Sequence, residues 1–468
     1  MSFCSYIDPS QLAGSIVLKE LGSGAYGVVQ LIQFKDGQKF AVKKMDLRNL
    51  HYDIGITQSS LLDIDSLLRL QKSPDVIHVE GVCHDRKQHI SLIMEPANSN
   101  LRTFILNKSV EERLKLLPTL MVAMVRTAAL SESLSIAHFD IKPQNVLVIT
   151  TPTETRFKVT DFGLARITIG HEFVPTNVLY TLWYRPPEYL GTTSRETFNI
   201  FAGDIWAIGV TLLEYIIKDS PFAGNNPTEV MSEIRFGSTQ KAMKLAQFYP
   251  AVNNGTVTGE TEVNRLIQDK LTPAQHAMIN SNLIIILSKM LSLNPKNRPT
   301  GIEILQAFGQ DINPSFLATL YSPNYPRCIQ RRSIEVVNKV AVELKISKAG
   351  HLVTLELLGR LCEFISKSSE PLDLIILSVL RTSVNYTEES ESYSDEIIDA
   401  YNKVIANPNK NIMIWDLAKI EPQILQEIQY RVYNSCLDPV IQRAYDQQVD
   451  ISGVPPESFS ESLDRWIL

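Results

Sequence analysis

One run of eleven residues constrains this chain more than any other: His138-Phe139-Asp140-Ile141-Lys142-Pro143-Gln144-Asn145-Val146-Leu147-Val148. It sets a carboxylate, an ammonium group two residues later and a carboxamide five residues later. Phosphoryl transfer needs these groups at these offsets. Asp140 would accept the proton of an attacking hydroxyl, and Asn145 would hold a magnesium ion against phosphates. Lys142 would reach the transferring phosphate, which suits serine and threonine hydroxyls. The pattern expects arginine where Phe139 stands, a change that bears on control more than on chemistry.

Further segments stand around this run in a fixed order. Leu21-Gly22-Ser23-Gly24-Ala25-Tyr26-Gly27-Val28-Val29 gives Gly-x-Gly-x-x-Gly-x-Val between two β-patterned runs, and glycines let a backbone fold tightly over phosphates. Alone, it also fits a ligand-free glycine hairpin or a dinucleotide turn, although a following strand rather than a helix argues against the second. Lys43, in Ala41-Val42-Lys43, would be costly in a buried strand without a charged partner such as phosphate. The alternative is a surface lysine on an edge strand, the reading that suits Lys44. The register of Leu61, Leu62, Ile64, Leu67, Leu68 and Leu70 makes Asp63 the helical carboxylate for Lys43, with Asp65 as competitor and a solvated acidic face as the other alternative. Asp161-Phe162-Gly163 offers a carboxylate as the second magnesium ligand beside Asn145. Glu188, in Tyr184-Arg185-Pro186-Pro187-Glu188, can pair with Arg298 as a buried structural ion pair. Asp204 opens an apolar helix and can hold the backbone of the Asp140 loop.

A chain of 468 residues, 44% apolar and 21% charged, has material for two or three cored domains. Its net charge of −6, without a long basic run, points away from nucleic acid. The first residues lack the regions of a signal peptide. The longest apolar run, around Leu374–Leu380, falls short of the roughly 18 residues of a membrane span. Five cysteines without a Cys-x-x-Cys pair, and eight histidines without metal-ligand spacing, fit a reducing compartment. The expectation is a soluble intracellular protein of the cytoplasm and/or nucleus. Short β-patterned runs occupy residues 15–94 and helical patterns dominate 111–310. The chain reads as an N-terminal segment 1–11, a domain 12–310, a proline-marked linker 311–330, a helical domain 331–445 and a tail 446–468.

With these motifs in order and nearly in register, residues 12–310 resemble the eukaryotic protein kinases. Leu182-Trp183-Tyr184-Arg185-Pro186-Pro187-Glu188 and the length of the Asp161–Glu188 segment resemble the cyclin-dependent kinase group. The resemblance implies an α+β, bilobal fold with a small β-rich N-lobe and a helical C-lobe. It implies transfer of phosphate from ATP, with Mg²⁺, to a serine or threonine of protein substrates, followed by proline because Arg185 falls where the family shapes that pocket. Asp140, Lys142, Lys43 and Thr181 are then the catalytic set, Thr181 matching the threonine that hydrogen-bonds the aspartate. ATP would meet Gly22, Ser23, Gly24, Ala25, Tyr26, Gly27, Val29, Ala41, Lys43 and the hinge Met94-Glu95-Pro96-Ala97. Asn145 and Asp161 would hold the metal. The alternative, from another class, is a pseudokinase scaffold with a helical partner-binding domain, against which the joint retention of Lys43, Asp140, Asn145 and Asp161 argues.

Control points depart from that family. Thr176 stands where the family carries an activating phosphothreonine, which three arginines normally clamp. Their positions here are Leu62, Phe139 and Arg166, so a phosphate could form one charge-assisted pair but not the triple clamp. Tyr26 stands at an inhibitory phosphotyrosine position, or simply packs in the glycine loop.

Residues 331–437 read as five helices: from Arg331, across His351–Arg360, Leu372–Val384 as the central buried one, Glu396–Ala406, and Ile420–Val432. Spacing alone allows a bundle or a repeat solenoid. Order and lengths resemble a single cyclin box, an all-α bundle, with Ser383-Val384-Asn385-Tyr386-Thr387-Glu388 ending its third helix and Glu421 as the glutamate of its fifth. Asn385 occupies the family's lysine position, so a lysine–glutamate pair is half missing. The resemblance implies a cyclin-like activator of the kinase, either this chain's own in cis or another chain's in trans.

Overall fold

The computed structural model describes residues 5–7, 9–24, 27–46, 57–85, 89–134, 136–167, 172–173, 180–190, 198–236, 259–310, 331–346, 350, 353–354, 357–358, 360–387, 394–405, 412–428 and 432. The chain divides into two compact units, one of residues 1–69, 78–96 and 318–468, the other of residues 70–77 and 97–317.

In the first unit, strands β1 (Ser5–Tyr6), β2 (Ile16–Gly24), β3 (Gly27–Gln33), β4 (Lys39–Asp46), β5 (Val79–Asp85) and β6 (His89–Met94) form one sheet in the order β1-β5-β6-β4-β3-β2. Part of the N-terminal segment is thus a strand, parallel to β5. β4 lies inside the sheet, and Lys43 stands opposite Val29 and Leu92, which rules out an edge position. Lys44, the next residue, points to the other face and is exposed.

The helix Gln58–Leu70 starts on Thr57, whose Oγ1 accepts from Ser60 N at 3.2 Å. It is buried on both faces. Leu61, Leu62, Ile64, Leu67 and Leu68 are in the core, and so are Asp63, Asp65 and Arg69. Its polar side chains therefore need partners within the unit.

The C-terminal helices of this unit include Arg331–Glu343, Cys362–Lys367, Leu372–Thr387, Ser394–Val404 and Ile414–Glu427. Leu372–Thr387 is central, packed against those at 331–343, 394–404 and 414–427, and buried from Leu374 to Tyr386. Ser378, Thr382 and Ser383 satisfy their hydroxyls on carbonyls one turn back, at 2.8, 2.9 and 2.9 Å. The last helix begins at Ile414, six residues before the sequence reading placed it, and runs through Pro422 to Glu427. Asp416 sets that start by accepting from Met413 N at 2.9 Å.

The second unit is mainly helical. Val110–Ser133 starts with a reciprocal Ser109–Glu112 cap, and Ile200–Ile217 starts with Asn199 Oδ1 accepting from Phe201 N and Ala202 N. Both are long and apolar enough to cross a membrane, which corrects the reading of Leu374–Leu380 as the longest such stretch. Scattered Gly203, Asp204 and Glu214 hide the second from a search for unbroken runs. Every residue of Ile200–Ile217 is buried in this unit's core. A hairpin of Val146–Thr150 and Thr155–Val159, with Ser99–Asn100 at its edge, carries the Asp140 loop at one end.

Candidate active site

The first unit supplies a glycine hairpin and a lysine–carboxylate pair. β2 and β3 pair up to Gly24 opposite Gly27. Gly27 has φ +125°, and a methyl there would collide with the Lys44 carbonyl, so this position demands glycine. Ala25 and Tyr26 lie outside the described residues. One strand over, Lys43 Nζ lies 2.7 Å from Asp63 Oδ2, with the two side chains 10% and 2% exposed. Ala41, two residues earlier on the same strand, stands opposite Leu31 and Met94. Glu95, which follows β6, turns its carboxylate to His78 N at 2.7 Å and donates its own N–H to His78 O.

In the second unit four side chains converge. Asp140 Oδ2 accepts from Lys142 Nζ at 2.6 Å and from Asn145 Nδ2 at 2.9 Å. Its Oδ1 accepts from Thr181 Oγ1 at 2.6 Å, and Lys142 also donates to Thr181 Oγ1 at 2.9 Å. With the Asn145 amide nitrogen committed to Asp140, its side-chain oxygen is the end that can face a hard cation. Asp161 has φ +65°, an uncommon conformation for a non-glycine residue, on the turn that leads to the buried Phe162. Phe162 packs on the His138 ring at 4.4 Å, and His138 Nε2 reaches Thr160 O at 3.1 Å.

Asp204 holds this loop from beneath. Its two oxygens accept from His138 N at 2.6 Å and Phe139 N at 3.0 Å. Burial pushes the carboxyl above its ordinary range, while His138 and the two N–H donors oppose that shift. Phe139 itself sits at φ +61°, a strained conformation for a bulky residue, so the surroundings must hold it. They do so with aromatic rings: Phe139 lies 5.0 Å from Tyr180 and 6.3 Å from Tyr189, and the tyrosines lie 5.4 Å apart. An apolar cluster thus occupies the place where the sequence pattern expects arginine. Leu62, at another such position, is fully buried, and Arg166 donates to Ala165 O at 2.9 Å. Thr176 lies outside the described residues.

Glu188 and Arg298 form a bidentate pair at 2.6 and 2.7 Å. Arg298 also donates to Ser292 O and Ala202 O and lies 5.1 Å over the Trp206 ring. The tyrosine cluster and the contacts of Arg381 and Tyr386 are not among the sequence expectations. Arg381 Nη1 pairs with Glu421 at 2.7 Å, so this glutamate has a cation although Asn385 cannot supply one. Arg381 stands one turn before Asn385 on the same helix face, a spacing that was available in the sequence.

The model of the protein kinase domain family matches residues 16–308, more than half of the chain, and the chain belongs to that family. It is similar to the serine/threonine-protein kinase KIN28 of Saccharomyces cerevisiae, 26% identical over 323 residues, which cover 67% of this chain and 97% of that protein. It is also similar to cyclin-dependent kinase B2-1 of Arabidopsis thaliana, 29% identical over 60% of this chain and 88% of that protein. The cyclin-dependent kinase 4 homolog of Caenorhabditis elegans is 30% identical over 47% of this chain and 54% of its own length. The chain is a serine/threonine protein kinase related to the cyclin-dependent kinases.

Proposed function

We propose that this kinase phosphorylates serine or threonine followed by proline, uses ATP with Mg²⁺, and carries its own cyclin-like activator in residues 331–445. The convergence of Lys142, Asn145 and Thr181 on the Asp140 carboxylate is the observation that carries the catalytic reading. Asp140 orients the substrate hydroxyl and takes its proton. Lys43, kept in place by Asp63, and Lys142 hold negative charge on the phosphates. Asn145 and Asp161 would supply oxygen donors that suit Mg²⁺, which when bound would offset charge on the phosphate oxygens. Gly27 lets the β2–β3 hairpin approach phosphates with backbone N–H groups.

Proline direction rests on Arg185, which is buried and donates to Tyr180 O at 3.0 Å, bracing the segment that would receive the residue after the target. Paired peptides that differ only as Ser-Pro and Ser-Ala test it. The expected result is a kcat/KM at least about tenfold higher for Ser-Pro, roughly 1.4 kcal/mol of discrimination; equal values would remove proline from the proposal.

The Phe139–Tyr180–Tyr189 cluster supports control without a phosphate clamp. Thr176→Ala is expected to leave kcat within about twofold of wild type. A loss of about a hundredfold, ~2.7 kcal/mol in the barrier, would show that the phosphate matters after all.

A further inference from the structure

The helix Gln58–Leu70 carries Asp63 and Asp65 two residues apart, which sets them about 200° apart around the helix axis. Asp63 meets Lys43 on the sheet side. Asp65, with no exposed surface, accepts from Arg69 Nε at 2.7 Å one turn on. The same Asp65 oxygen accepts from the hydroxyl of Tyr386, 321 positions away at the end of the buried helix Leu372–Thr387. Tyr386 is 2% exposed and also hydrogen-bonds Arg69.

An acid–base pair is costly to bury on a helix face unless further hydrogen bonds meet it. The tyrosine hydroxyl is that further bond. Burial and the Asp65 charge push the hydroxyl far above its ordinary range, so it remains a donor. Although burial opposes it, Asp65 and Tyr386 hold the Arg69 guanidinium charged. The helix is therefore pinned on opposite faces by two polar contacts joined through one rigid turn.

We propose that Tyr386 is a positioning residue for phosphoryl transfer: by engaging Asp65 and Arg69 it fixes the rotation of the helix at which Asp63 meets Lys43. The proposal rests on the reading of the chain as an active kinase. It ties the C-terminal helices to the phosphate-holding lysine through side chains of this chain alone. A helix released from Tyr386 exposes a buried ion pair and loses its register against β4, so the two contacts stand or fall together.

The test uses the full-length chain. Tyr386→Phe removes one hydroxyl and keeps the ring, and is expected to lower kcat for peptide phosphorylation about tenfold or more. Tyr401→Phe removes a comparable hydroxyl, bonded to Asp373 at 2.5 Å within the same C-terminal helices. It is expected to leave kcat within about twofold; equal losses in the two variants would reduce Tyr386 to a structural role and overturn the proposal. Combined with Asp63→Asn, Tyr386→Phe should add no further loss, since both act on the same lysine. Losses that multiply would place Tyr386 outside the Lys43 pathway. Amide hydrogen exchange over residues 58–70 gives a readout independent of activity: faster exchange in Tyr386→Phe is expected, and unchanged exchange overturns the coupling. An inactive wild-type chain would overturn the kinase reading instead, and the exchange result would still decide whether Tyr386 holds the helix.

Discussion

Replacing Asp140 by asparagine is expected to lower kcat about 10²–10⁴-fold, the range that a positioned general base contributes. The exchange is nearly isosteric, so the loop should persist on its Asp204 anchor, which binds the backbone of residues 138 and 139 rather than the Asp140 side chain. What changes is the chemistry at two oxygens. Asp140 Oδ2 takes hydrogen bonds from both Lys142 and Asn145, and Oδ1 takes one from Thr181. An amide accepts at one end only and donates at the other, so at least one of the three hydrogen bonds donated to Asp140 is lost or reversed. It also cannot take up the hydroxyl proton. The loss should fall on kcat with the KM for ATP little changed, because the nucleotide is held by other groups. Steady-state kinetics with a peptide and ATP check this. A variant within about tenfold of wild type would mean that Asp140 is not the base.

The second large effect concerns stability. Arg298→Met is expected to destabilise the second unit by about 3–5 kcal/mol, the cost of leaving a buried charge without its partner. The Glu188 and Arg298 side chains are 4% and 0% exposed, and both oxygens of Glu188 accept from Arg298. Arg298 also ties three backbone carbonyls, at Ser292, Leu293 and Ala202, to the same centre. The methionine variant fills part of the volume but leaves the Glu188 carboxyl without its partner in a dry site. The double variant Glu188→Leu/Arg298→Met should recover a large part of the loss, since no orphaned charge remains. Urea unfolding of the three proteins checks both statements. A single-variant loss below about 1 kcal/mol would class the pair with surface ion pairs, against its burial.

The candidate catalytic groups were legible in the sequence because their spacing is fixed along one short loop. Asp140, Lys142 and Asn145 lie within six residues, and local geometry brings them together with little help from distant packing. Thr181 was legible through family likeness and Asp204 through its place at the start of an apolar helix, and both reach the loop in the structure. Between Asp63 and Asp65 the register left a choice, and the helix uses both, on opposite faces. Periodicity could not separate them because both faces of this helix are buried. The aromatic support of Phe139 was hidden for a different reason. Tyr180 and Tyr189 are 41 and 50 positions away, and apolar contacts between distant residues leave no spacing signature. The last helix starts earlier than its apolar spacing indicates because the Asp416 cap sets its start at Ile414, and it runs on through Pro422.

The activator proposed in residues 331–445 would make a second chain unnecessary. The most direct measurement is therefore phosphate transfer by the purified, phosphatase-treated full-length chain alone, with ATP, Mg²⁺ and a Ser-Pro peptide, over a dilution series. The account predicts Asp140-dependent transfer whose specific activity stays constant on dilution, as expected when the C-terminal helices act within the same chain. Activity that appears only after adding a separate cyclin, or only after Thr176 is phosphorylated, would contradict it.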